Sequence, residues 1–300
     1  MNAIPSELNW SPTFDPFAPQ FFPDQLAKGK SHFQSAFFLI PSAQRRQALN
    51  DFYAYCRLVD DIADSEELGL SLTTRNEVLN RIETWIRNPT LTENKYWNRF
   101  KESIDRYEMP LSALIGIIAG VRYDLKEKPL LFSTWEDLNH YVRGVACAVG
   151  EVVLSILGEK SPQTTEYALF MGRCLQYLNI MRDLDEDFKA RRIYVPQEYM
   201  KSIGASEGIL EGIERPSSEM KANMRVELFE RAFQYRRKAI PISWRCLPAE
   251  LMAGVYIKAA NQYWRFGKPT RLTRKEKVAA IIETTARFFF RKKSLYDPSR

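Results

Sequence analysis

Apolar residues recur every three to four positions along most of this chain, and almost nowhere at every second position. In the segment from Ser42 to Ser65, Leu49, Phe52, Tyr53, Cys56, Val59 and Ile62 keep that period. The spacing predicts an amphipathic helix capped at Ser42 and ending near Ser65. NEVLNRIETWIRN (Asn76–Asn88), NKYWNRFKESIDRY and PLSALIGIIAGVRYDL repeat the pattern. TWEDLNHYVRGVACAVGEVVLSILG opens on a cap at Thr134 with an acid three residues later, Asp137. SPQTTEYALFMGRCLQYLNIMRDLDEDFKARR is the longest helical candidate, and Pro196, Gly204, Gly208 and Gly212 after it mark short elements. SSEMKANMRVELFERAFQYRRKAIPISWRCL, PAELMAGVYIKAANQYWRFG and TRKEKVAAIIETTARFFFRKK read as the closing helices. The expectation is an all-α protein: an irregular Pro- and Phe-rich segment over residues 1–24, then a single helical domain over 25–300 with no interior linker. No internal repeat and no Gly-rich phosphate loop interrupts it.

Composition narrows the chemistry. A chain of 300 residues buries a core without disulfides or a structural metal. Its four cysteines are far apart with no CxxC, and its two histidines are too few for a His-rich site. Thiolate zinc and redox pairs are therefore not indicated, and a reducing compartment is expected. The aromatic share of 13% suits a wide apolar interior or an apolar ligand. The N-terminus lacks the basic region and apolar core of a signal peptide. The longest apolar helical stretch read from the pattern, Leu111 to Val121, is short of the ~20 residues that span a bilayer. A soluble or peripheral protein is expected. The net charge of +6 suits an anionic membrane, nucleic acid or a phosphorylated ligand, without choosing among them.

Against that charge stand two acidic clusters. RLVDDIADSEE holds Asp60, Asp61 and Asp64; NIMRDLDEDFKARRIYVP holds Asp183, Asp185, Glu186 and Asp187. Asp60 and Asp64, like Asp183 and Asp187, are four apart, which puts each pair on one helix face about 6 Å apart along the axis. Such pairs repel unless a cation compensates. Either pair alone also reads as a solvated charge run, with the nearby arginines as surface partners. Two of them, beside Arg57, Arg182, Lys189, Arg191 and Arg192, read as hard oxygen ligands and phosphate-binding cations: a diphosphate–Mg²⁺ site. Carboxylates so placed disfavour a nucleic-acid backbone, so no nucleic acid partner is expected.

These stretches resemble the squalene/phytoene synthase family, the head-to-head prenyl synthases. YAYCRLVDDIAD is similar to the family's first aspartate-rich motif and CLQYLNIMRDLDEDFKARRIYVP to the second. YVRGVACAVGEV, SHFQSAFFLIP and, loosely, GVRYDL resemble further landmarks, so the resemblance spans about residues 28 to 290. It implies an all-α isoprenoid-synthase fold with helices around a deep central cavity. It also implies Mg²⁺-dependent condensation of two prenyl diphosphates. By matching positions, Asp60, Asp64, Asp183 and Asp187 fall on metal ligands. Arg57, Gln176, Asn179 and Arg182 match positions that bind diphosphate or orient the ligands, Asn179 among the metal set. Tyr53 and Tyr141 match tyrosines near the reacting carbons. Tyr194 and Tyr256 match tyrosines near the diphosphate, and Arg271 a basic position near the carboxyl end.

The form of the first motif looks most similar to bacterial presqualene diphosphate synthases of hopanoid pathways. The implied reaction is condensation of two farnesyl diphosphates to presqualene diphosphate, with release of diphosphate. Phytoene synthesis from two geranylgeranyl diphosphates, on the way to carotenoids, is the rival, followed by squalene or dehydrosqualene synthesis. NADPH is not expected unless the product is squalene. A catalytically silent prenyl-diphosphate-binding subunit is the non-enzyme alternative. Departures from the family pattern bear on chain length and product: Arg143 stands where an aromatic is common, Cys147 where glycine is, Tyr123 where methionine is, and Arg192 where glycine is. The expected location is cytoplasmic, with transient contact to the inner membrane surface or a downstream pathway enzyme left open.

Overall fold

The protein is described here from a computed structural model covering residues 14–21, 23, 40–64, 69–125, 128–241, 243–266 and 272–289. Its architecture is all-α. The chain forms two compact units, Met1–Lys126 and Glu127–Arg300.

The first unit holds α1 (Ala43–Asp64), α2 (Leu72–Arg87), α3 (Lys95–Tyr107), α4 (Leu111–Val121) and a 3₁₀ turn at Arg122–Leu125. The α1 helix runs almost as its spacing predicts. Helix α2 begins four residues before Asn76, because Ser71 caps it by accepting from the Thr74 backbone N–H. Asn94 caps α3 in the same manner, accepting from Tyr96 and Trp97. The core of this unit is aromatic. Trp85 meets Trp97 edge-on at 4.8 Å, and Tyr55 stacks on Phe100 at 5.4 Å. The irregular stretch before α1 is pinned to this core: Trp97 Nε1 donates to the Pro16 carbonyl at 2.7 Å, and Asn94 Nδ2 donates to the carbonyls of Ala18 and Phe21 at 2.6 Å each. Asp51, 1% exposed, accepts a two-pronged grip from Arg99.

The second unit begins with β1 (Leu130–Leu131), which pairs in parallel with β2 (Arg192–Ile193). This short ladder was not anticipated; two residues carry no readable alternation. Helix α5 (Trp135–Val142) opens on the expected capping box between Thr134 and Asp137. It passes through a π-helical turn, Arg143–Cys147, into α6 (Ala148–Leu157). The joined run Trp135–Leu157 has 23 residues, with an 18-residue stretch of mean hydropathy 1.4 that is 56% buried inside the protein. It is longer than the Leu111–Val121 stretch read from sequence, because a π turn continues the helix through Gly144. Helix α7 (Thr164–Lys189), with 26 residues, is the longest among the described residues. After it come α8 (Gln197–Ser202), α9 (Glu207–Leu210), α10 (Ser218–Lys238), a 3₁₀ turn at Trp244–Cys246, α11 (Leu247–Phe266) and α12 (Arg274–Phe289). The single helix expected through Cys246 therefore stops at Lys238, where Ala239, Ile240 and Pro241 break the pattern.

Three contacts fix α7. Helix α10 packs along it, and Asp185 binds Lys221 and Arg225 of α10. Gly172 lets the π turn approach closely: a Cβ there would lie 2.7 Å from Cys147 Cα. Tyr167 donates to Glu250 of α11 at 2.7 Å, and Arg236 of α10 grips the other Glu250 oxygen at 2.6 Å. Glu250 is 2% exposed, so this paired charge sits inside the core and ties three helices to one another.

Candidate diphosphate and metal site

Tyr53, Arg57, Asp60 and Asp64 belong to the first unit; the other predicted site residues belong to the second. On α1 the four follow one another at four, three and four residues, so they share one stripe. The face turned away from that stripe buries Leu58, Val59 and Ile62. Tyr53, Arg57 and Asp60 are half-buried and Asp64 is exposed. Arg57 donates to Asp60 at 2.8 Å and also binds Asp61. Asp61 is thus the second partner of the arginine, a role that its position beside Asp60 did not reveal. Asp60 keeps 49% of its side chain in solvent and Asp61 11%. The end of this helix is held by Arg75, 8% exposed, whose guanidinium donates to the carbonyls of Ile62, Ala63 and Leu70. It satisfies the last carbonyls of α1 just where the acidic segment ends.

On α7, Gln176, Asn179, Asp183 and Asp187 form a second stripe, spaced by three, four and four residues. All four are half-buried. Arg182 is the hub. Its Nε and one Nη donate to the two oxygens of Asp183 at 2.6 and 2.5 Å. It also donates to Asn179 Oδ1 at 2.5 Å and to the Tyr256 hydroxyl at 3.0 Å. The Tyr256 hydroxyl in turn donates to Asn179 Oδ1 at 2.8 Å. The predicted Asn179, Arg182, Asp183 and Tyr256 are therefore brought into one network across α7 and α11. The bonds to Asp183 push the Arg182 pKa further up, so its charge is permanent. Burial raises the Tyr256 hydroxyl to about 12, which keeps it a neutral donor.

Asp187 stands outside that network. Burial first, then the Asp183 carboxylate one turn away, push its pKa up to about 7, against the opposing pull of Arg192 and Arg182. A carboxyl in this position is poorly supplied with positive charge. Asp183 and Asp187 together present an all-oxygen donor set of the kind hard divalent cations take. Among the described residues, no three His, Cys, Asp or Glu side chains converge into a ready-made cage. The Asp183 and Asp187 oxygens are donors of the type Mg²⁺ takes when one or two carboxylates hold it and substrate phosphate oxygens complete its shell.

Tyr141 and Tyr194 are brought together elsewhere in the second unit. Their rings stack at 5.5 Å, their hydroxyls lie 3.4 Å apart, and Phe132 packs on both at 5.4 and 5.9 Å. The β1–β2 pairing makes this possible, since Phe132 follows β1 and Tyr194 follows β2. Sequence reading assigned the two tyrosines to different regions and missed Phe132. Arg143, the departure in the middle helix, pairs with Glu151 across the π turn at 3.1 Å. Gln176 makes no side-chain hydrogen bond among the described residues. Arg271 and most of SHFQSAFFLIP lie outside the described residues.

Residues 26–264 match the squalene/phytoene synthase family. The chain belongs to that family. Its similarity to individual members of the squalene/phytoene synthases is moderate. It is 33% identical to the presqualene diphosphate synthase of Zymomonas mobilis over 58% of this chain and 59% of that protein. It is 32% identical to the 4,4'-diapophytoene synthase of Staphylococcus haemolyticus over 61% of this chain and 63% of that one. The chain thus spans about three fifths of the length of these curated relatives. Among solved structures, a dehydrosqualene synthase in complex with ligand superposes with a TM-score of 0.70 at 23% identity, covering 89% of this chain and 95% of that one. That likeness shows the fold, the all-α isoprenoid-synthase fold expected from the motifs.

Proposed function

We propose that this chain is a prenyl synthase that joins two prenyl diphosphates head to head. Farnesyl diphosphate is the proposed substrate and presqualene diphosphate the product. The observation that carries this reading is the α7 network: a permanently charged Arg182 clasping Asp183, locked by Asn179 and Tyr256, beside an Asp187 carboxyl raised to about 7. Asp60, Asp64, Asp183 and Asp187, with Asn179, would hold Mg²⁺. Bound there with substrate, the metal supplies positive charge that offsets the negative charge of the departing diphosphate.

In the proposed reaction the allylic C–O bond breaks and its electron pair leaves with the diphosphate. Arg57 and Arg182 orient that group through fixed guanidinium donors. The double bond of the second substrate supplies the electrons of the new C–C bond. Loss of a proton then closes the cyclopropane, and the released diphosphate is the proposed acceptor, since neither motif contains a histidine. Tyr53, with the Tyr141–Tyr194 pair, would face the cation with ring surfaces that stabilise charge without attacking it. An apolar surround at these rings would keep water from capturing the cation.

Incubation with farnesyl and geranylgeranyl diphosphate separately, with Mg²⁺ and with or without NADPH, tests this by mass spectrometry of the products. Presqualene diphosphate from farnesyl diphosphate alone is the expected result. Phytoene from geranylgeranyl diphosphate selects the carotenoid reading, and squalene formed with NADPH adds a second half-reaction. No turnover of either substrate overturns the synthase reading in favour of a silent binding subunit.

A further inference from the structure

At one end of the second unit, Phe288 of α12 is buried in a cluster with Ala239, Cys246, Ala253 and Leu154. The chain neighbours of these anchors face water instead. Ile240 is 66% exposed, Trp244 71% and Phe289 64%. Because Ala239, Cys246 and Phe288 share one buried cluster, their exposed neighbours are held at the same end of the unit. Val278 and Ile282 are also exposed, and they stand on the same α12 stripe as Phe289, at intervals of four and seven residues. Large apolar side chains gathered in water mark a contact surface.

The charges around the patch say what it contacts. Arg237, Lys238 and Arg245 are exposed beside it, and the chain has no Asp or Glu between Arg231 and Ala249. The next acid, Glu250, is buried and bound by Arg236 and Tyr167. On α12 the first turn offers Arg274 and Lys275, while Glu276 and Glu283 are turned towards α11, where Gln262 and Lys258 bind them. Glu159, the acid nearest Trp244 from another element, is buried and bound by Ser243. Apolar side chains flanked by exposed cations, with the nearby acids buried or bound elsewhere, complement an anionic lipid surface. An indole suits the level of the headgroups. A second copy seated on this face by a two-fold axis would bring the same cations against one another.

We propose that Ile240, Trp244 and Phe289, flanked by Arg237, Lys238 and Arg245 and continued by the α12 stripe, dock the protein on an anionic membrane surface. The surface is separate from the aspartate network, so the inference does not depend on which prenyl diphosphate is used. Co-sedimentation of the full chain with phosphatidylcholine vesicles, with and without phosphatidylglycerol, tests it. Binding is expected with the anionic vesicles and weakens with salt. Trp244→Ser should lower the partition by about tenfold. Arg237→Gln with Lys238→Gln should lower it by roughly fivefold per charge removed. Circular dichroism of each variant confirms folding, and a variant that unfolds is replaced by Trp244→Gln or Ile240→Ser, read in the same way. Equal binding to neutral and anionic vesicles, or unchanged partition of the folded variants, overturns the proposal. So does a dimer in sedimentation analysis that Trp244→Ser dissolves, which assigns the face to a second copy.

Discussion

On α1, Arg57 meets Asp60 and Asp61, both within about one turn of itself. On α7, Arg182 meets Asp183 and then reaches Tyr256 on another helix, with Asn179 closing the ring. The two acidic segments look alike as strings and differ in what surrounds them. The first is neutralised locally and stays wet at Asp60 and Asp64. The second is neutralised only in part: Asp183 has its cation, while Asp187, half-buried one turn on, has its carboxyl raised to about 7. Carboxylates spaced four apart have no fixed meaning. What they can bind depends on how much positive charge the fold already supplies and how much water remains.

The comparison breaks most readily at the carboxylates themselves. Asp60→Asn and Asp183→Asn should each lower turnover by about 10³-fold, as expected when a group that positions charge on a leaving group is lost. Steady-state kinetics checks this, with circular dichroism near wild type. Retained activity in Asp60→Asn alone would leave α7 as the sole site.

Changes to the arginines should separate the two segments. Lysine cannot grip both oxygens of a carboxylate, so Arg182→Lys should lower kcat/KM by about 100-fold. Arg57→Lys still reaches one neighbour on its own helix, and about a tenfold loss is expected. Equal losses would show that the second network has no special role. Tyr256→Phe removes a hydroxyl that bonds both Arg182 and Asn179. A hydrogen bond of this kind is worth about 1 kcal/mol, so a loss of up to about tenfold in kcat/KM is expected.

The smallest effect belongs to Asp185, which serves packing against α10. Lys221 first, and then Arg225, hold its pKa below the ordinary 3.8. A carboxyl lowered by folding contributes stability above its unfolded value and loses it as pH falls through the folded one. Asp185→Asn should therefore be less stable than wild type at neutral pH, by under about 1 kcal/mol since the carboxylate is 44% exposed. The gap should close in acid, as thermal unfolding at several pH values would read.

Much of this arrangement was legible because it is local. The capping box at Thr134 and Asp137 is a four-residue signal, and the extent of α7 follows from its period. The acidic pairs announce themselves by spacing, and the motifs name their family. What was illegible lies across the fold. Arg75 caps α1 from the next helix, and nothing in its own neighbourhood says so. Gly172 lies inside the helical pattern of α7, and nothing local shows that the Cys147 backbone lies against it. Phe132 joins Tyr141 and Tyr194 through a ladder of two residues per strand, too short to leave an alternating pattern. Asp187 looks like Asp64 in sequence, and its half-burial, against the exposure of Asp64, shows only in the fold.

The central claim is that the α7 carboxylates bind diphosphate through a divalent cation. Calorimetric titration of inorganic pyrophosphate into the wild-type protein and into Asp183→Asn, each with Mg²⁺ and with EDTA, tests it most directly. The account predicts binding that requires Mg²⁺ and is lost in the variant. Equal affinity in EDTA, or unchanged binding in a folded Asp183→Asn, would contradict it.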